Sequence, residues 1–421
     1  MGKFHLSFKM LKEDKFEYSD KSLQSANNLT FKGNMQNIVL ASVKNTTDIS
    51  DKKFTKEPLL REIIDINNAK LFKAGQFDVV SLKGDYYQMG VQYGLLQKHK
   101  IRNFYNDIVQ SFKEAHIINS TQDLVNCANR LLKDYPPKYI KMLEGIALGS
   151  DMKVIDIAII NIFMEVLEAK CSCIVAGGEY TRDKTNIMGR NFDYPEFFKR
   201  FDDYLTVITL KPDDGSNPVA LLTYTGQITA PQVFNSKGMV IEVNNAMIGD
   251  NRERISDKPP FVLTNLDAML KSSDLEELDK EIHLKGSSCP ILFNVADADN
   301  AYCYEITTTD IKKRSPEKEG LLVSTNHFIN NKWPESVREF LDYRYHSKLR
   351  RKNLLNIAQN NKGNITEQTV KDILDTTIEN GGATFTDKTV FQFVFTPKTK
   401  QLEIKAPGYS DWTTIPLSEL L

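Results

Sequence analysis

The chain has 421 residues, of which 41% are hydrophobic and 26% charged, a composition typical of a globular protein with enough apolar residues for a large core. The 54 Lys and Arg residues nearly balance the 55 Asp and Glu residues, so neither nucleic acid nor an anionic membrane is expected as an obligate partner. Five cysteines, an odd number at low density, argue against a disulfide framework.

The N-terminal part of the chain carries few structural signals. Residues 1–55 are polar and rich in Lys, Asn and Ser, and we predict an irregular or accessory segment there. Met1–Leu11 has no long apolar h-region, so we expect a cytoplasmic protein; if a signal peptide has been removed, the location would be periplasmic or secreted. The most apolar stretch, Val154–Leu167, is too short to span a bilayer, which needs about 20 residues.

Residues 56–170 are predicted to be mainly helical. Phe77–Leu82 has the pattern of a short strand, which Gly84 ends. Apolar residues then recur at helical spacing, and the predicted helices are Tyr86–Lys113, Thr121–Lys133, Pro137–Leu148 and Asp151–Glu168. Asp151 is predicted to cap the last of these helices, which is apolar on nearly all sides and should be buried.

From Cys171 onward, short runs either alternate with period two or are fully apolar, as in sheets with covered faces. The predicted strands are Cys173–Tyr180, Asn186–Arg190, Tyr204–Lys211, Val219–Thr225, Gly238–Asn244, Ile291–Ala296, Ala301–Ile306, Leu321–Ser324, Val390–Phe395 and Leu402–Ala406. The predicted helices are Pro260–Leu270, Leu275–His283, Lys348–Ala358 and Thr366–Ile378, with Ser273 or Asp274 capping the second and Thr366 the last. Grouped strands and helices indicate an α+β protein rather than alternating βαβ units.

The segment Cys171–Ala176 begins with a small thiol at the head of an apolar run, and Gly189–Tyr194 follows after a polar stretch and a second short apolar run. This arrangement predicts a β-hairpin. The hairpin would bring Arg190 and Asp193 toward Cys171, where a cation favours the thiolate and an acid can anchor a second polar group. Taken alone, the pattern is more typical of a buried structural cysteine.

Several further motifs occur in a fixed order between Val79 and Pro407. They are the glycine-spaced Leu82–Gly94, Glu144–Gly149, Ile160–Asn161, Cys171–Ser172, Gly189–Tyr194, Asn235–Met239 leading to Asn244–Asn245, Thr325–Phe328 and Ser347–Arg351. Each motif alone is weak, but the ordered series resembles the cysteine N-terminal-nucleophile (Ntn) hydrolases of the penicillin acyltransferase-like family, and more distantly the choloylglycine hydrolases and acid ceramidases. With this series, an enzyme is favoured over a non-catalytic protein.

The resemblance implies an α+β fold, a four-layer α-β-β-α sandwich in which Cys171 starts an inner strand. It also implies hydrolysis of a linear amide bond through a thioester, without a cofactor, after the chain cuts itself between Lys170 and Cys171. Residues 56–170 would then be a pro-segment that stays bound, and residues 171–421 the catalytic domain. Acyl transfer to an amine or thiol instead of water, and a non-catalytic binding protein with this fold, remain alternatives.

The resemblance also implies roles for individual residues. The free α-amino group of Cys171 would act as the base, since its unperturbed pKa is near ~8. Arg190 would lie beside the thiol and Asp193 would hold the amino group. Asn244 would donate to the oxyanion, with Asn245 a near-equal candidate because strand alternation directs only one of them at the site.

Other candidate residues follow later in the chain. Asn326 would position the nucleophile or the substrate. Either Arg350 or Arg351 could contact substrate, and His327 is a candidate structural or substrate-contacting residue. A papain-type arrangement would instead pair His327 with Cys171 or Cys173, which share a strand face, although the papain-type local signature is missing.

The sequence departs from the family pattern at two places. Family members often carry glycine where this chain has Lys170, so self-cleavage could be slow, and the loop between Cys171 and Arg190 is longer than in bile-acid-type members. We expect a small-molecule amide or N-acyl substrate and leave a homo-oligomer open. No second close Cys or His pair accompanies Cys171 and Cys173, so zinc is not expected.

Overall fold

The computed structural model describes residues 59–66, 68–133, 135–163, 170–246, 260–317, 319–339, 342 and 346–421. The irregular segment predicted for residues 1–55 lies outside this range, as does the C-terminal end of the helix predicted for Asp151–Glu168. No helix within these residues is both long and apolar enough to cross a membrane.

The described residues form two sheets of ten and six strands. Sheet A has the order β1-β2-β3-β6-β7-β8-β9-β10-β11-β12, and sheet B has the order β13-β4-β5-β14-β15-β16. The strands are β1 Arg61–Ile66, β2 Ala69–Ala74, β3 Phe77–Gly84, β4 Lys170–Ala176, β5 Ile187–Asp193, β6 Leu205–Pro212, β7 Val219–Tyr224, β8 Gln232–Asn235, β9 Val240–Asn245, β10 Ile291–Ala296, β11 Ala301–Ile306, β12 Ile311–Arg314, β13 Leu321–Ser324, β14 Thr389–Thr396, β15 Gln401–Lys405 and β16 Thr413–Pro416.

Helices account for much of the remaining described chain. They are α1 Tyr86–Leu96, α2 Lys98–Glu114, α3 Thr121–Leu132, α4 Pro137–Ser150, α5 Val154–Ile162, α6 Phe261–Lys271, α7 Leu275–Lys285, α8 Glu335–Arg338, α9 Ser347–Asn360, α10 Glu367–Asp375 and α11 Leu417–Leu420. Asp274 and Thr366 accept hydrogen bonds from backbone N–H groups of the first turns of α7 and α10, as predicted.

The two sheets pack face to face, with β4 against β9, and helices cover their outer sides. Helices α1 and α6 lie on sheet A, whereas α9 and α10 lie on sheet B. Because both faces of each sheet are covered, strands such as β6 and β7 are almost wholly buried and apolar on both sides. The predicted α+β, four-layer α-β-β-α sandwich is therefore confirmed.

The N-terminal described region contributes strands as well as helices. Strands β1 to β3 extend sheet A, and β3 pairs in parallel with β6, with Val80 opposite Ile208. The sequence predicted only β3 here, because β1 is largely exposed and lacks an apolar pattern. Residues on both sides of the proposed cut at Cys171 therefore share one hydrogen-bonded sheet.

Glycines at four-residue spacing bring α1 and α4 into close contact. A Cβ atom at Gly90 would lie 2.2 Å from the carbonyl oxygen of Met142, and one at Gly149 would lie 2.3 Å from that of Val91. No larger residue fits without separating the helices, since these contacts involve backbone atoms. This packing accounts for the spaced glycines in Leu82–Gly94.

Three helix predictions were wrong in detail. The helix predicted for Tyr86–Lys113 is two helices, interrupted at Gln97. Asp151 does not cap α5; it adopts a left-handed conformation (φ 57°) that ends α4, and α5 begins at Val154. Helix α10 ends at Asp375, before the predicted Ile378.

Candidate active site

The predicted hairpin is present as strands β4 and β5. The strands pair antiparallel, with Cys171 opposite Phe192 and Cys173 opposite Arg190. Strand alternation puts Cys171, Cys173 and Arg190 on the same face. That face is directed at sheet A, because Arg190 contacts residues of β8 and β9. Arg190 therefore reaches the cysteines as the sequence predicted.

Three polar side chains hold Cys171, which has no exposed surface. Arg190 Nη2 donates to Cys171 Sγ at 3.2 Å. The Cys171 N–H donates to Asn326 Oδ1 at 3.1 Å, and Arg350 Nη1 donates to the Cys171 carbonyl oxygen at 2.8 Å. The thiol, the nitrogen and the carbonyl of this one residue are therefore all fixed by side chains from separate elements.

The two thiols on this face differ in their electrostatic surroundings. Burial raises the pKa of the Cys171 thiol, while the Arg190 guanidinium opposes the rise. Burial and the Glu242 carboxylate together raise the pKa of Cys173 well above its ordinary value. Of the two cysteines, Cys171 is therefore the better placed to form a thiolate.

Arg190 is fully buried, and each of its side-chain nitrogens lies close to a polar group. Its Nη1 donates to Gln232 Oε1, its Nη2 also donates to the Val243 carbonyl, and its Nε lies 2.9 Å from Glu242 Oε2. Sequence reasoning missed Glu242 and Gln232. A signal for Glu242 was present, because it is an acid within an apolar strand and lies two residues before Asn244, on the same strand face.

Asp193 lies at the end of β5 and is only 1% exposed. Its Oδ1 accepts a 2.6 Å hydrogen bond from Thr389 Oγ1, and its Oδ2 lies 3.7 Å from Arg350 Nη1 without a hydrogen bond of its own. Burial raises the pKa of Asp193 to about 6, while the Arg350 guanidinium opposes the rise. Lys170, also buried, pairs with Asp193 in the strand register.

The candidate asparagines occupy different positions. Asn244 is buried and donates from Nδ2 to Ser324 Oγ at 3.1 Å, and Ser324 is the strand partner of Cys173. Asn245 is half-buried, and its backbone carbonyl accepts a 2.7 Å hydrogen bond from Asn326 Nδ2. The Asn244 side chain therefore belongs to the inner cluster, whereas Asn245 holds Asn326 through its backbone.

The side chains of Arg350 and Arg351 bond different partners, although the two residues are adjacent on α9. Arg350 is fully buried and bonds both Cys171 and Asn326, the latter at 2.7 Å from Nη2 to Oδ1. Arg351 Nη2 instead donates to Glu317 Oε1 at 2.7 Å. Among the described residues, Arg350 therefore belongs to the Cys171 cluster, whereas Arg351 pairs with Glu317.

His327 packs beside the site rather than acting through a charged ring. Its Nδ1 lies 2.8 Å from Ser347 Oγ and 3.1 Å from Thr325 Oγ1. Burial, reinforced by the nearby Arg351 and other cations, lowers the pKa of His327 to about 3. Because Ser347 Oγ also accepts from the Asn326 N–H at 2.9 Å, this network fixes the loop that carries Asn326.

No group of three His, Cys, Asp or Glu side chains within the described residues is arranged to hold a metal ion. The two carboxylates nearest the thiol pair with other groups instead. Glu242 faces Arg190 and accepts from Asn294 Nδ2, and Asp193 faces Arg350 and accepts from Thr389 Oγ1.

A sandwich whose inner strand opens on a buried, arginine-bonded thiol is the architecture of the Ntn hydrolases. Residues 180–410, more than half of the chain, match the family model for acyl-coenzyme A:6-aminopenicillanic acid acyl-transferase. The chain belongs to this penicillin acyltransferase family. The matched region begins after Cys171, so it does not include that residue.

Two curated relatives are similar to part of the chain. The acyl-coenzyme A:6-aminopenicillanic-acid-acyltransferase 40 kDa form of Emericella nidulans is 24% identical over 220 residues, which cover 51% of this chain and 58% of that protein. Protein dcd1B of Dictyostelium discoideum is 22% identical over 274 residues, covering 58% of this chain and 53% of that protein. The chain thus spans little more than half the length of these relatives.

Three solved structures are similar to part of the chain. The Caenorhabditis elegans N-acylethanolamine-hydrolyzing acid amidase ortholog has a TM-score of 0.40 and 18% identity, covering 54% of this chain and 93% of that one. A conjugated bile acid hydrolase mutant from Clostridium perfringens has a TM-score of 0.41 and 12% identity, covering 59% and 93%. Penicillin V acylase from Agrobacterium tumefaciens has a TM-score of 0.41 and 10% identity, covering 59% and 87%.

Proposed function

We propose that this protein hydrolyses a linear amide bond of a small N-acyl substrate, with Cys171 as nucleophile, after cutting itself between Lys170 and Cys171. The observation that carries the proposal is the double anchoring of Cys171. Its Sγ accepts from Arg190 at 3.2 Å while its backbone nitrogen donates to Asn326 at 3.1 Å. A nucleophile whose own α-amino group is the base needs both atoms held in this way.

Self-cleavage would begin when the Cys171 thiol attacks the carbonyl carbon of Lys170. The peptide C–N bond then breaks as a thioester forms, and the freed nitrogen becomes the α-amino group of Cys171. Water hydrolyses the thioester, which leaves a carboxylate on Lys170 and restores the thiol. In the intact chain Asp193 Oδ2 is a buried carboxylate oxygen without a hydrogen bond. The new amino group would supply its missing donor.

Turnover would follow the same chemistry with an external amide. The α-amino group takes the thiol proton, Sγ attacks the substrate carbonyl, and the proton passes to the leaving amine as the thioester forms. Water then releases the acid. Asn244, buried in the inner cluster, is our candidate donor to the oxyanion, and Arg190 would stabilise the thiolate.

The proposed domains are an irregular segment over residues 1–55, a pro-segment over residues 56–170 and a catalytic domain over residues 171–421. We expect the two chains produced by the cut to stay associated, for two reasons. Strand β3 is hydrogen-bonded to β6 within sheet A. Asn161, on the buried helix α5, also donates to the Gly226 carbonyl at 3.0 Å and accepts from the Ile228 N–H at 2.9 Å.

Acyl transfer is the second candidate, because the matched family model and the Emericella nidulans relative are both described as acyltransferases. In that case an amine or thiol, instead of water, would take the acyl group from the Cys171 thioester. The same residues would perform both reactions up to the thioester. The reactions differ only in which acceptor reaches it.

Intact mass spectrometry of the purified protein tests the proposal most directly. We expect wild type to yield two fragments divided between Lys170 and Cys171, and Cys171→Ala to remain a single chain. Product release should then be measured with and without an added amine or thiol acceptor, to separate hydrolysis from transfer. A fully active chain that remains uncut would overturn the Ntn mechanism and favour a Cys171–His327 pair.

A further inference from the structure

A row of polar side chains crosses the inner face of sheet A, opposite the cysteines of sheet B. Strand register places Gln232 opposite Glu242, Glu242 opposite Asn294, and Asn294 opposite Cys303. All four residues are fully buried. Arg190 of sheet B contacts the first two members of this row.

Glu242 is the charged member at the centre of this row. Its Oε2 lies 2.9 Å from Arg190 Nε, its Oε1 accepts from Asn294 Nδ2, and it bonds the Cys173 thiol. Two hydrogen-bond donors and the Arg190 cation therefore surround the carboxylate. Burial raises the pKa of Glu242, while the Arg190 guanidinium and these donors oppose the rise. Because Arg190 Nε lies only 2.9 Å from the carboxylate, we infer that Glu242 and Arg190 form an ion pair.

The orientation of Arg190 depends on its acceptors. The guanidinium is a rigid plane, so fixing Nε and Nη1 also fixes the direction of Nη2. Glu242 pairs with Nε and Gln232 accepts from Nη1, so Nη2 is directed at Cys171 Sγ, 3.2 Å away, and at the Val243 carbonyl. Glu242→Gln would keep an oxygen beside Nε, and so the direction of Nη2, while removing the negative charge.

We propose that Glu242, held in place by Asn294, is a positioning residue for the nucleophile: it aims Arg190 at Cys171 and places a negative charge beside the Arg190–Cys171 pair. This inference rests on the proposed role of Cys171. It also distinguishes the two thiols, because Glu242 accepts from Cys173 and so opposes its ionisation.

The pH dependence of Cys171 involves charged groups from several elements. Arg190 and Asp193 face it from β5, Glu242 from β9 and Arg350 from α9. Burial raises the pKa of Cys171 most, Arg190 opposes the rise, and the charges of the two acids add to it. Neutralising Glu242 without changing its shape should therefore shift the titration of the thiol to lower pH.

The experiment measures the rate at which iodoacetamide alkylates Cys171 between pH 6 and pH 10, by peptide mass spectrometry over hours. We expect Glu242→Gln to shift the rate profile down by about 1 pH unit and so raise the rate near neutral pH by up to ~10-fold. Asn294→Ala should shift the rate profile in the same direction but by less, because the hydrogen bond that it removes favours the charged form of Glu242. Glu242→Asp, which keeps the charge but withdraws it from Arg190 Nε, should not shift the profile to lower pH.

The matched control is Asn265→Ala, which removes another fully buried asparagine whose Nδ2 donates to the Ala230 carbonyl at 2.9 Å. We expect it to lose thermal stability without moving the alkylation profile. An unchanged profile in folded Glu242→Gln overturns the proposal; if that variant does not fold, Asn294→Ala decides in the same way. The readout needs neither self-cleavage nor turnover, so a failure of the proposed function appears separately, as an uncut and inactive wild type.

Discussion

Asp193 offers a test in which stability and activity change in opposite directions. Its pKa is about 6 in the folded intact chain, against an ordinary value of 3.8, chiefly because the carboxyl is buried. Since the folded pKa is raised, the stability that Asp193 contributes is fully present below pH 3.8 and is lost as the pH rises through 6. The difference of about 2 units corresponds to about 3 kcal/mol at most.

In the uncut chain, Asp193→Asn should remove the loss of stability that occurs as the pH rises through 6. The asparagine oxygen can still accept from Thr389 Oγ1, so the hydrogen bond that orients the side chain is kept. In a Cys171→Ala background, which prevents cleavage, we expect Asp193→Asn to raise the free energy of unfolding by up to about 3 kcal/mol at pH 7.5 and to change it little at pH 4. Urea unfolding at the two pH values measures this.

The effect on activity should be the reverse. Once Cys171 is the first residue of a new chain, its amino group needs the Asp193 carboxylate, so Asp193→Asn in the cleavable protein should lower turnover ~10²-fold or more. Asp202→Asn is the control, because burial likewise raises the pKa of Asp202, to about 7. It should stabilise the protein at pH 7.5 and leave turnover unchanged. An Asp193→Asn chain less stable than its parent at pH 7.5 would refute the reasoning.

Three further predictions concern the other candidate residues. Cys171→Ala should abolish turnover and leave the fold intact, while Cys173→Ala keeps substantial activity; the reverse result in an activity assay would move the nucleophile to Cys173. Arg350→Lys should lower turnover ~10²-fold, whereas Arg351→Lys should cost about 0–1 kcal/mol of stability and no rate; equal kinetic losses would contradict the assignment of Arg350. His327→Gln should leave the shape of the pH–rate profile unchanged, because the low pKa keeps His327 neutral above about pH 5; disappearance of the acid limb would identify His327 as the base.

Local features were predictable from the sequence because neighbouring residues produce them. The β4–β5 hairpin follows from two apolar runs on either side of a polar stretch, and it alone places Arg190 beside the cysteines. Asp274 and Thr366 cap their helices through bonds to residues two or three positions away. Asp151 failed as a cap because the preceding helix uses it as its own left-handed end.

Choices between adjacent residues required the tertiary structure. Neighbouring residues on a helix point about 100° apart, and neighbouring residues on a strand point to opposite faces. Arg350 and Arg351 were therefore equivalent until the packing of α9 on sheet B directed Arg350 at Cys171. Asn244 and Asn245 were separated in the same way, when β9 packed against β4.

The roles of Glu242 and Asn294 could be identified only from the tertiary structure. They are partners on neighbouring strands of sheet A, and Glu242 meets Arg190 only because the two sheets stack face to face. From sequence alone, an acid and an amide in apolar strands have no visible partner. In the folded chain Arg190 and the strand register provide one, because a charge can remain in the core only where an opposite charge and hydrogen-bond donors surround it.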